Sequence, residues 1–126
     1  MRDQEWLDSA LHALDLIYFD GALAEDGVTV KWWPFKVSRS GTFLYGDYSA
    51  GRIRMSCVLS DAWVPSFVTV GVLFHETLHH VIGLQHDLTF SLAEAQYVHH
   101  AKAAVWENLN FFRMVNETKT KTRGWK

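Results

Sequence analysis

Cysteine is nearly absent from this sequence. Cys57 is the only one in 126 residues, which excludes an intrachain disulfide and any Cys-rich zinc ribbon. Proline is almost as scarce, with two residues, and neither an internal repeat nor a linker-like stretch divides the chain. A length of 126 residues suits a single core. No apolar run is long enough to cross a bilayer; the longest nearly uncharged stretch is Ala62 to Phe74. The first residues, MRDQEWLDSALHALDL, alternate charged with apolar positions and lack the apolar centre of a signal peptide. The expectation is a soluble cytoplasmic (intracellular) protein with no membrane partner.

An excess of one charge is also missing. Twelve Lys+Arg against fourteen Asp+Glu leave a formal charge of −2, which excludes a globally basic nucleic-acid glove. The bases are unevenly spread, however. The last eight residues, KTKTRGWK, hold four bases and no acid. This divides the chain into an expected domain at 1–118 and a basic, flexible tail at 119–126, where Lys119, Lys121, Arg123 and Lys126 are candidate nucleic-acid contacts.

Apolar and aromatic residues are well supplied. Hydrophobic residues make up 48% and charged residues 21%, which excludes wholesale disorder. Six tryptophans supply ring area for a core that needs no disulfide. Over residues 3–19, Trp6, Leu7, Ala10, Leu11, Leu14, Ile17 and Tyr18 recur at helical spacing, and Asp20-Gly21 ends the pattern. Val28–Trp32 reads as a strand closed by Pro34. Thr42–Tyr48 and Arg52–Leu59 read as a hairpin around Ser49-Ala50-Gly51. In the second arm Ile53, Met55, Cys57 and Leu59 share one face, opposite Arg52, Arg54 and Ser56.

Pro65-Ser66, with Ser66 as N-cap, opens a helix over about 67–82 that Gly83 stops. Ser91-Leu-Ala-Glu94 reads as a capping box, with Phe90 as a staple, opening a long final helix to about Met114. The fold class is α+β: an N-terminal helix, a small three-stranded and mostly antiparallel sheet, a second helix and a long C-terminal helix.

Six of the seven histidines fall between positions 75 and 100, and among them lies His75-Glu76-Thr77-Leu78-His79. This is an HExxH motif on the expected second helix. Residues four apart on a helix lie one above the other, so both imidazoles reach one metal ion. Glu76 sits about 100° round the helix, beside the metal, where it is placed to move a proton on and off water. One zinc ion per chain is the implied cofactor. A catalytic zinc takes three protein ligands and keeps one position open. His86, reached after the Gly83 turn, is the best third ligand and Glu94 competes with it; the spacing differs from the metzincin pattern.

The surrounding segments carry a family resemblance. HETLHHVIGLQHDLTF resembles the HExxH helix of the SprT-like (Spartan-type) metallopeptidases, with its Gly turn and His-x-x-x-Phe segment, to which His86 and Phe90 correspond. Tyr18–Leu23 resembles that family's FFDGxL segment, Gly41–Leu59 its hairpin, and Val72-Leu73-Phe74 its lead-in to the motif. The resemblance spans about residues 5–115. It implies a zincin-like fold, zinc held by His75, His79 and His86, Glu76 as catalytic base, and hydrolysis of a protein or peptide substrate, often one bound or crosslinked to DNA. The zinc ribbon and long extensions of other members are missing, so the site is carried over more firmly than DNA or DNA-bound proteins as partners.

Plainer readings stand beside these. His75 and His79 suit a pair of packed helix histidines, and Glu76 a surface carboxylate, if no metal binds. His80 points away from His79, and His99-His100 suit a solvated pair. Asp87 suits either an acceptor for a ligand imidazole or a solvated acid, and Tyr97 is a candidate for steadying an oxyanion. Trp32, Trp33, Phe35 and Trp63 suit core or rim packing, or else a stacking platform for nucleic acid. Lys31, Arg39, Arg52 and Arg54 suit phosphate or water equally. A non-catalytic zinc-stabilised module that binds DNA or a protein, its fourth position closed by Glu94, is the rival to an endopeptidase.

Overall fold

The fold, from a computed structural model that describes residues 1–123, is α+β, with six helices and a three-stranded mixed sheet. Helix α1 (Gln4–Tyr18) starts where the Asp3 carboxylate accepts the Trp6 N–H at 2.8 Å. Its apolar stripe buries Leu7, Leu11 and Leu14 at helical spacing. Asp20 and Gly21 both take positive φ, 52° and 84°, and turn the chain out of α1. A one-turn helix, α2 (Ala22–Glu25), follows. Buried Asp15 reaches across to accept the Leu23 and Ala24 N–H groups at 2.8 and 3.0 Å.

Strands β1 (Thr29–Trp33), β2 (Gly46–Ser49) and β3 (Arg52–Ser56) lie in the order β1-β3-β2. The hairpin β2–β3 is antiparallel, as its Ser49-Ala50-Gly51 turn implies. The β1–β3 pairing is parallel, so the sheet is mixed rather than mostly antiparallel. The cause is the excursion of residues 34–45, which carries the chain past β3's place and leaves β2 as an outer strand. Alternation in β3 also ends earlier than its apolar pattern implies. Ser56 is buried, and Cys57–Ser60 wind into a 3-10 turn in which every residue is buried.

Helix α3 (Ser66–Val81) packs against the sheet and carries the HExxH motif. Pro65, not Ser66, occupies the cap position, and no side chain bonds there. The expected long C-terminal helix is three helices: α4 (Leu88–Glu94), α5 (His100–Leu109) and α6 (Phe111–Arg123). Asp87 starts α4 by accepting the Phe90 N–H at 3.0 Å, which puts Ser91 inside the helix and removes the capping box. Phe90 is fully buried rather than a surface staple.

The expected tail is structured as far as it is described. Helix α6 runs through residues 119–123, with Met114 and Thr118 buried on its inner face. Lys121 pairs with Asp61 at 2.6 Å, so it is not a free basic group, while Lys119 and Arg123 are exposed. Lys126 and the rest of 124–126 lie outside the described residues. Among the described residues, no helix is long and apolar enough to cross a membrane.

Candidate metal centre

Two turns of α3 and the loop after it bring three imidazoles together. His75 and His79 stack along one helix face, with ring centroids 4.9 Å apart. Gly83 takes φ +130°, a backbone open chiefly to glycine, and the chain doubles back to bring in His86. The His86 Nε2 lies 3.2 Å from the His75 Nε2 and 3.1 Å from the His79 Nε2. The ligand atoms of all three fall within 4.8 Å of one another. Phe90 is the packing post of this cluster. Its ring centroid lies 4.9, 4.7 and 5.0 Å from those of His75, His79 and His86.

The proton positions follow from the other ring nitrogens. The His79 Nδ1 lies 2.9 Å from the Gly83 carbonyl, which can only accept, so Nδ1 carries the hydrogen. The His75 Nδ1 donates to Glu94. That hydrogen bond, and the charge His75 carries when protonated, lower the Glu94 pKa below the usual carboxylate range despite its burial. In the neutral rings both Nε2 atoms then present lone pairs toward His86, whose single Nε2 hydrogen cannot satisfy two acceptors well. Burial depresses the His79 pKa, and the neighbouring His75 and His86 add to this. For His75, burial also works downward, but the Glu94 hydrogen bond and the charges of Glu76, Glu94 and Glu107 outweigh it.

With the His86 hydrogen on Nδ1 instead, all three Nε2 atoms present lone pairs, and a cation at the centre would satisfy them at once. Tetrahedral zinc, with Zn–N near 2.0–2.1 Å, requires ligand nitrogens about 3.3 Å apart, close to the two separations from the His86 Nε2. The donor set therefore fits zinc. No fourth His, Cys, Asp or Glu joins the group among the described residues. Neither a family model, a curated protein nor a solved structure matches the chain.

Glu76 lies next to the cluster and is 5% exposed. Burial pushes its carboxyl up to about 7; His75 opposes the rise, while Asp47 and Glu94 add to it. Strand β2 closes over Glu76 through Gly46. A Cβ built there would lie 3.2 Å from Glu76 Cγ and 3.0 Å from the Arg54 carbonyl, so any larger residue would have to push the strand or Glu76 back by a few tenths of an ångström. His75, Glu76 and Glu94 form one wall of a cavity of about 350 Å³ that residues 43–46, leading into β2, and α5 help to complete.

The other expected residues have defined places. Glu94 sits behind His75, on the nitrogen remote from His86. Asp87 caps α4 and bonds no imidazole. The Tyr97 hydroxyl donates to the Phe67 carbonyl at 2.8 Å while its ring lines the cavity. His80 faces away from the cluster, donating through Nε2 to Asp26 at 2.8 Å and accepting the Tyr48 hydroxyl at Nδ1, 2.7 Å away. The four suspected stacking rings form no single platform. Trp32 is in the core, Trp63 packs on Trp106, and Trp33 is covered by Lys31 and Arg54. Arg54 is itself paired with Asp47.

Sequence reasoning missed Gly46, the Gly83 carbonyl and Glu107. A lone glycine opening a strand was the available signal for the first. The face His100, Ala103, Ala104, Glu107 at helical spacing was the signal for the last.

Proposed function

We propose that this protein is a zinc-dependent endopeptidase with a zincin-like, SprT-like domain, in which His75, His79 and His86 hold one zinc ion and Glu76 is the catalytic base. The observation that carries the reading is the convergence of three Nε2 atoms beside a buried carboxyl that opens on a cavity. When bound, the metal supplies a Lewis acid that polarises a peptide carbonyl and acidifies water.

The remaining work falls to the chain. Glu76 accepts a proton from the attacking water at its carboxylate and returns it to the leaving amine nitrogen. A carboxyl pushed up toward 7 is suited to both transfers near neutral pH. Glu94 and the Gly83 carbonyl fix the two helix imidazoles by their Nδ1 hydrogens. The outer edge of β2, which pairs only with β3 among the described residues, supplies backbone groups for an extended substrate, and this suits sequence-tolerant recognition. A buried, unpaired Cys57 is in keeping with a reducing cytoplasm. DNA-associated proteins remain in the substrate class through the family resemblance, with exposed Lys119 and Arg123 as groups for phosphate.

The test is cleavage of an unfolded protein by the zinc-loaded chain and by Glu76→Gln. The variant is expected to keep its zinc and thermal midpoint and to lose about 10²–10⁴ in kcat. Full activity in Glu76→Gln would overturn the mechanism.

A further inference from the structure

The cavity beside the metal centre has a chemistry of its own. One wall is a single face of α5, where His100, Ala103, Ala104 and Glu107 follow at steps of three and four residues. The two alanine methyls make a smooth apolar floor. His100 and Glu107 stand at its two ends, about 10 Å apart along the helix axis. Gly71 on α3 lets the Tyr97 ring come close, since a Cβ there would lie 3.1 Å from that ring; the Ala103 methyl, 3.7 Å from the same point, is in ordinary contact range.

Glu107 is the unexplained group. It is half-buried and lines the cavity, yet it makes no hydrogen bond and no ion pair with any described residue. Glu94, the neighbouring acid, is committed to His75. Burial raises the Glu107 carboxyl above the usual range, and the charge of Glu94 adds to the rise while His75 opposes it. The Tyr45 hydroxyl across the cavity is pushed up to about 12, by burial and then by Glu107. Both effects locate this carboxyl in poorly hydrated space, where a charged partner gains most.

We propose that this cavity is a subsite for a lysine or arginine side chain of the peptide substrate, and that Glu107 is the residue that selects it. The inference rests on the endopeptidase reading for its substrate class. An aliphatic stem lies along the Ala103–Ala104 floor, and the cationic head reaches Glu107. A neutral side chain of equal length gains the same floor but leaves the carboxylate unpaired, and an acidic one faces it directly.

The experiment compares binding of two blocked tripeptides to the zinc-loaded protein, Ala-Lys-Ala and Ala-norleucine-Ala. The readouts are titration of the Ala103 and Ala104 methyl signals by NMR and, separately, cleavage. The lysine peptide is expected to bind about tenfold tighter or better, to shift both methyl signals, and to lose its advantage in Glu107→Gln. Glu107→Lys is expected to turn the preference toward a glutamate peptide. Equal binding of the two peptides to the wild type, no binding of the lysine peptide, or a preference that survives in Glu107→Gln would each overturn the subsite. The wild-type comparison decides even if a variant fails to fold. Lysine-selective binding with no cleavage of any peptide would overturn the endopeptidase and leave the subsite; cleavage without basic preference would do the reverse.

Discussion

At the scale of single residues, the metal site is an exercise in assigning hydrogens. Each helix imidazole has one nitrogen committed to an acceptor, Gly83 for His79 and Glu94 for His75, and this turns both remaining lone pairs toward His86. Glu94 does this as an ionised group, since its hydrogen bond to His75 lowers its pKa. Glu94→Gln removes the charge while keeping the shape. Zinc affinity is expected to fall about 10–100-fold, measured by competition with a chelating dye, with the helical signal unchanged. Unaltered affinity would mean that His75 needs no such partner. His75, Glu76 and His79 were legible in the sequence because HExxH encodes a local geometry. Glu94 was legible only as a competing ligand, since which atom of His75 it meets is decided by the tertiary path of α4.

At the scale of elements, periodicity located α1, β1, β3 and α3 to within a few residues because each buries one face against a neighbour, while β2, with no buried residue, was located by the hairpin turn. Periodicity failed beyond residue 86. Leu88, Leu92, Val98 and Leu109 continue an apolar pattern yet are exposed, so the pattern implied one long helix where three short ones exist. The parallel β1–β3 pairing was equally hidden, since nothing local records which strand the chain passes before returning.

The α4–α5 junction is held by Tyr97, whose hydroxyl donates to the Phe67 carbonyl on α3. Burial, aided by Tyr18, pushes that phenol from 10.0 up to about 12. A raised folded-state pKa means that its stabilising contribution is complete below pH 10 and is lost as pH rises toward 12, on the order of 2 kcal/mol. Denaturation midpoints measured from pH 9 to 12 are expected to fall. The slope should be shallower in Tyr97→Phe, although that variant starts about 1 kcal/mol lower. An identical slope in the variant would remove Tyr97 from the account.

At the scale of the whole molecule, the core and the metal serve different parts. The sheet, α1 and the inner faces of α3 and α6 bury a continuous apolar cluster, whereas the segment from Gly83 to Phe90 is tied down by Phe90, the Asp87 cap and the histidines. Metal binding is therefore expected to stabilise the fold without being required for it. At free zinc a thousandfold above Kd, linkage gives about 4 kcal/mol, or about 15 °C in thermal midpoint for a chain of this size. A chelator should remove that increment reversibly and leave the helical signal intact. The central claim is the three-histidine zinc site, and the most direct measurement is the metal content of the purified wild type and of His86→Ala in parallel. The account predicts about one zinc per wild-type chain and markedly weaker retention in the variant. A wild type that holds no zinc after the metal is added back, or a His86→Ala chain that holds it equally well, would contradict it.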